Sequence, residues 1–159
     1  MARVSGVLTG IFGTMLEKRL RRATRPHRDP RRAVAVRPAA DHRPVARTAA
    51  ERHAAELRAR GVKKVNAASA AVDRRTGRVY TGHSREGIAV PPQVRSRLPD
   101  PSKDKWPSDN CGEVNAAAKA VSDGADVDDL VIQTVRVKDG KYFEPCLNCR
   151  TWVNEGSAP

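Results

Sequence analysis

Three cysteines stand in two short patterns of a 159-residue chain, Cys111-Gly112-Glu113 and Pro145-Cys146-Leu147-Asn148-Cys149, and none is left over. An odd number cannot all pair as disulfides, and small disulfide scaffolds usually carry four, six or eight cysteines. A Cys-x-x-Cys pair at a turn or helix start brings two thiolates to one side, within reach of a single metal ion. Cys111, at another helix start, supplies a third. Three protein ligands leave one tetrahedral position open, which is what separates catalytic zinc from closed structural zinc. A water in that position has its pKa lowered toward about 7. Glu113, two residues beyond Cys111, is placed to take that water's proton as a base and to return protons as an acid, without being a ligand itself. Two other uses of the thiols compete with this reading. One is burial as small hydrophobes. The other is a redox Cys-x-x-Cys, which needs no Cys-x-Glu partner.

The two patterns resemble the signature of the zinc-dependent nucleobase deaminase superfamily, [His/Cys]-x-Glu followed by Pro-Cys-x-x-Cys, with cysteine in the first position. Within it, Asn110-Cys111-Gly112-Glu113-Val114-Asn115-Ala116 and Pro145-Cys146-Leu147-Asn148-Cys149-Arg150 look most like the YwqJ-related deaminases. The resemblance covers residues 62–153. It implies an α/β, cytidine deaminase-like fold, with a small mixed sheet and zinc-bearing helices. It also implies bound Zn2+ and hydrolytic deamination of a nucleobase that is free, in a nucleotide or within nucleic acid. Members are known mainly as C-terminal toxin domains of bacterial polymorphic toxin systems. That adds an immunity protein as an expected partner, and delivery to a target cell by a non-classical route as an alternative to a cytoplasmic location. The 31 residues between Glu113 and Pro145 suit one helix and one strand between the half-sites. Ten residues follow Cys149, so the sheet is expected without the superfamily's last one or two strands.

Charge divides the chain. Residues 1–60 carry +10 of the formal net +12. Residues 21–47, rich in arginine and proline with no sustained period, read as a loosely ordered basic arm. Such an arm suits nucleic acid or an anionic membrane surface, or serves as a solvated linker. The expected division is residues 1–60 as arm, with a short helix over 48–60 opened by a Thr48-x-x-Glu51 capping box, and residues 61–159 as the zinc domain. The longest apolar stretch, residues 4–16, is broken by three glycines and is too short to span a bilayer. A basic run follows it, so it also makes a poor export signal.

Within the second part, residues 65–84 read as a β-hairpin turning at Asp73-Arg74-Arg75-Thr76-Gly77. Five prolines make residues 86–109 a long loop without a regular element. A helix is expected over 111–122, stopped by Gly124, then a strand over 130–137 with hydrophobic and polar residues alternating, and a last helix carrying Cys146 and Cys149. Candidate substrate contacts are Asn66, at the start of the first strand, and His83 and Ser84, at the end of the hairpin. Trp106 is placed either to stack on a base or to anchor the core. The competing functional class is a non-catalytic, zinc-stabilised module that binds nucleic acid or membrane. The two readings diverge on Glu113, which only the enzyme requires.

Overall fold

Strand β1 (Ala67–Asp73), with the sequence Ala-Ala-Ser-Ala-Ala-Val-Asp, is buried along its whole length. Successive side chains of a strand point to opposite faces, so full burial needs cover on both. In the computed structural model, which describes residues 40–153, that cover is two helices. Ala68, Ala70 and Val72 pack against α1 (Arg43–Ala59), and Ala71 packs against α3 (Gly112–Ser122). The small side chains of β1 let both helices approach it closely. Strand β3 (Leu130–Arg136) is divided the same way, with Val131 and Val135 toward α1 and Leu130 and Ile132 toward α3.

The sheet has three strands in the order β2-β1-β3, where β2 spans Val79–His83. Both neighbours of β1 run antiparallel to it, and Ala70 stands opposite Thr81 on one side and Gln133 on the other. The expected mixed sheet is therefore corrected to an antiparallel one among the described residues. Strands β2 and β3 do run in the same direction, joined by the α3 crossover, but β1 lies between them and no parallel pair forms. The architecture is α/β, a small antiparallel sheet held between helices.

The hairpin forms where its turn residues place it. The Asp73 carboxylate accepts hydrogen bonds from Arg75 N (2.9 Å) and Thr76 Oγ1 (2.6 Å), and Gly77 takes the positive φ of +74° that closes the turn. Helix α3 covers nearly the expected span, with Cys111 as its N-cap and Gly124, at φ +92°, just past its end.

Helix α1 departs from expectation. It begins at Arg43, so Thr48 and Glu51 lie inside it rather than capping it. Pro44 sits in the first turn, where a missing N–H costs nothing, and Ala46, Ala50, Ala54 and Leu57 make one buried stripe. Glu51 instead pairs with Arg47 one turn back, at 2.6 Å. Residues 43–59 thus pack on the sheet and belong to the folded unit, which corrects the division at residue 60. The rest of the proposed arm, up to residue 39, and the apolar segment 4–16 lie outside the described residues.

Two further corrections follow from backbone chemistry. The proline-rich loop contains a helical turn, α2 (Pro92–Arg95), because its prolines occupy the helix start, and it runs into a 3-10 turn at Ser108–Asn110. The segment with Cys146 and Cys149 is a chain of turns, not a helix. Its bonds run from Cys149 N and Arg150 N to Cys146 O, then from Trp152 N and Val153 N to Cys149 O. Among the described residues no helix is long and apolar enough to cross a membrane.

Candidate metal centre

Cys111 is held at the N-terminus of α3 by the closeness of that helix to the sheet. A Cβ on Gly112 would stand 2.6 Å from Ser69 Oγ, and one on Gly82 of β2 would stand 2.4 Å from Ala116 N. Only glycine allows β2, β1 and the first turns of α3 to meet this closely. Asn115, fully buried, fixes the same corner: its Nδ2 donates to His83 O (2.9 Å) and Cys111 O (3.1 Å).

The other half-site arrives from β3. After the Asp139-Gly140 turn the chain returns along the strand, Tyr142 bridging to Val135 and Phe143 N donating to Thr134 O (2.9 Å). Pro145 and Cys146 follow directly, and the turn at 146–149 carries Cys149 back beneath them.

The three sulfurs lie within 4.8 Å of one another, with Cys111 Sγ and Cys146 Sγ 3.2 Å apart. That is far beyond an S–S bond of about 2.05 Å, and all three cysteines are free. Three sulfurs each about 2.3 Å from one tetrahedral ion stand about 3.8 Å apart, so small side-chain shifts suffice to seat a metal. A set of three thiolates suits a soft or borderline divalent ion. The cluster itself favours ionisation at one member. Hydrogen bonds from the Cys111 and Cys149 thiols, with the backbone N–H groups of Cys149 and Asn148, hold Cys146 far below the usual thiol range, while Cys111 and Cys149, as donors, are pushed up. A bound divalent ion displaces the remaining thiol protons, so its affinity falls as pH falls.

Glu113 is only 4% exposed, and burial pushes its carboxyl up to about 7, the Cys146 thiolate adding to the shift. The neighbouring Thr134 hydroxyl and Cys149 thiol oppose that shift without reversing it, and Thr134 Oγ1 is 2.8 Å from Ser69 Oγ.

Cys111, Cys146 and Glu113 share the wall of one cavity of about 140 Å³, which is also lined by Asn66, Ser84 and Trp106. Two of the three candidate substrate contacts are therefore brought to the cysteine cluster, and Ser84 Oγ braces the start of β1 by accepting from Asn66 N at 3.1 Å. His83 is not among them. Its ring stacks on His53 of α1 at 5.8 Å between centroids, and its Nδ1 lies 3.0 Å from Ser84 O. Residue 83 precedes the point where the chain leaves the sheet, so its side chain is still committed to packing.

The cavity also takes in Arg85, Phe143 and Glu144, which sequence reasoning missed although Arg85 and Glu144 adjoin residues already singled out, and Asn110, which it named only as part of the motif. Thr134 and Asn115 were missed as well. Thr134 carries no local signal, since only the register of β3 places it under Glu113.

Burial, and secondarily His83, lowers the pKa of His53 from its ordinary 6.5, and its Nε2 is buried without a partner. Glu56, 3.7 Å away, and Glu86 oppose that shift without reversing it. A histidine that resists protonation in the fold contributes stability that is present above its unfolded pKa and lost as pH falls through it. Over the same window Glu113, its carboxyl held up to about 7, acts in the opposite sense, so the His53 contribution is read as the difference in thermal unfolding between the parent and a His53 variant. His53→Phe, which keeps the stacking, is expected to gain stability relative to the parent as pH falls from 7 to 5; a difference that does not change with pH would remove His53 as a source of pH dependence.

No family model matches the chain, and neither a curated protein nor a solved structure matches it.

Proposed function

We propose that the protein is a zinc-dependent hydrolytic deaminase of a nucleobase, related to the YwqJ group of toxin deaminases. The observation that carries this reading is the gathering of three cysteine sulfurs, two of which share the wall of one small cavity with the buried Glu113. A structural zinc site needs neither Glu113 nor access from a cavity.

Cys111, Cys146 and Cys149 would hold the ion. When bound, zinc supplies Lewis acidity that makes a water nucleophilic near neutral pH. Glu113 moves the protons in two rounds, taking one from the attacking water and giving it to the ring nitrogen, then taking the hydroxyl proton of the adduct and giving it to the amino group that leaves as ammonia. Its raised pKa in the metal-free protein reflects a dry site, and a nearby cation draws that pKa back down, keeping it in the working range. Burial of Glu113 in the first turn of α3 limits how far its carboxyl can swing between the two roles. Asn66 and Ser84 offer polar groups for the edge of a base, and Trp106 offers a face.

The cavity is smaller than the roughly 300–1,000 Å³ that encloses a whole drug-sized ligand. The reacting ring fits inside, and any sugar or phosphate stays at the mouth, beside Arg85.

Purified full-length protein is expected to hold about one zinc, and to release ammonia from one class among free bases, nucleosides, RNA and single-stranded DNA. Zinc with no ammonia from any class would favour the non-catalytic module; no zinc would overturn both. Cys146→Ser is expected to lose most of the zinc, measured by metal analysis after dialysis.

A further inference from the structure

Asn148 lies between two of the cysteines, is fully buried, and makes side-chain hydrogen bonds with the proline-rich loop more than forty residues earlier in the chain. Its Oδ1 accepts from Lys103 N at 2.7 Å, and its Nδ2 donates to Ser102 Oγ at 3.0 Å. Ser102 Oγ in turn donates to Trp106 O at 2.6 Å and accepts from Asp104 N at 3.3 Å. A weaker contact from Asn148 N to Asp104 Oδ2, at 3.4 Å, runs alongside. The amide thus works as a clasp. Both of its ends are satisfied by residues 102–103, and the Ser102 hydroxyl passes the constraint to the backbone of Trp106. The Trp106 side chain lines the same cavity as Cys111, Cys146 and Glu113, and stays 44% exposed.

We infer that Asn148 is a positioning residue that couples the metal loop to the Trp106 wall of the cavity, so that closing the cysteine loop around an ion also sets that wall. With the cysteines holding an ion, Asn148 would pass the restraint on residues 146–149 to residues 102–106, so that the Trp106 wall is held more firmly in the loaded protein. Coupling of this kind is reciprocal, so loosening the loop weakens metal binding by the same factor. The inference rests on the metal-centre reading and not on the deaminase reading.

Trp106 and Trp152 are the only tryptophans, so Trp152→Phe leaves Trp106 as the sole reporter in the full-length chain. The protein is stripped with a chelator and titrated with Zn2+ alone, and acrylamide quenching of Trp106 is followed beside metal analysis and circular dichroism. Zinc is expected to lower the quenching constant of Trp106 about threefold or more, the size of change a coupling of this order gives. Ser102→Ala, a loop substitution remote in sequence from the cysteines, is expected to remove most of that response and to weaken zinc binding on the order of fivefold. Asn148→Ala is expected to do the same, with the Ser102→Ala result standing if Asn148→Ala fails to fold. The inference is overturned if the parent binds zinc while Trp106 does not respond, or if Ser102→Ala responds as the parent does. Absence of bound zinc overturns the metal centre along with it.

Discussion

Glu113→Gln is expected to abolish ammonia release while zinc content and fold survive. The substitution keeps the size and shape of the side chain, and removes only the ability to take up and give back a proton. General acid–base groups of this kind contribute about 10² to 10⁴ in rate. Glu113 handles protons in more than one step of the proposed reaction, so the upper end of that range or beyond is expected. Neutralising a buried carboxyl among thiolates does not harm the fold, because burial already disfavours the charged form. The measurement pairs an ammonia assay with metal analysis and thermal unfolding of the same preparation. Ammonia release within tenfold of the parent would remove Glu113 from the mechanism. Loss of zinc in the variant would make Glu113 part of the metal site instead.

The largest expected effect on stability comes from adding one methyl group at Gly82. A Cβ there meets Ala116 N at 2.4 Å, the Asn115 carbonyl carbon at 2.8 Å and Gly112 O at 2.9 Å, all of them backbone atoms of α3. No rotamer can relieve such contacts; the helix must move off the sheet. Overpacking of a well-filled core costs about 1–3 kcal/mol where side chains can give way, and backbone against backbone lies at or above the top of that range. Gly82→Ala is therefore expected to lower the unfolding midpoint by roughly 10 °C or more. The displaced segment carries Cys111 and Glu113, so weaker zinc binding should accompany the loss. Gly77→Ala is a useful comparison, because it strains a positive φ in an open turn and meets nothing within 4 Å. A Gly82→Ala protein as stable as the parent would show that α3 does not sit this close to β2.

Local chemistry made much of the architecture readable in advance. The hairpin was legible because Asp73, Thr76 and Gly77 encode a turn by short-range hydrogen bonds. Helix α3 was legible because its alanines end at Gly124. The start of α1 was misjudged because Thr48 and Glu51 imitate a helix cap, whereas the buried stripe begins with Ala46, and that stripe has meaning only against β1 and β3. The second cysteine segment was expected to be a helix because turns and helix starts share the same short-range spacing. The alternation along β3 marked a strand, but not that α1 and α3 cover both of its faces.

The candidate site divides along the same line. Cys111, Glu113, Cys146 and Cys149 announce themselves in the sequence because ligand spacing and the position of a proton carrier two residues from a ligand are local properties of the chain. The gathering of the three sulfurs within 4.8 Å is tertiary, set by glycine-permitted contact of α3 with the sheet and by the return of the chain after β3. The assignment of neighbours is tertiary as well. Ser84 and Asn66 reach the cavity, His83 is spent on His53, Thr134 is delivered under Glu113 by strand register, and Asn148 ties the metal loop to Trp106. The sequence by itself determined which groups can do chemistry, because that depends on residue type and short spacing. Only the tertiary structure decided which polar groups surround them, because that depends on how elements far apart in the chain pack across β1.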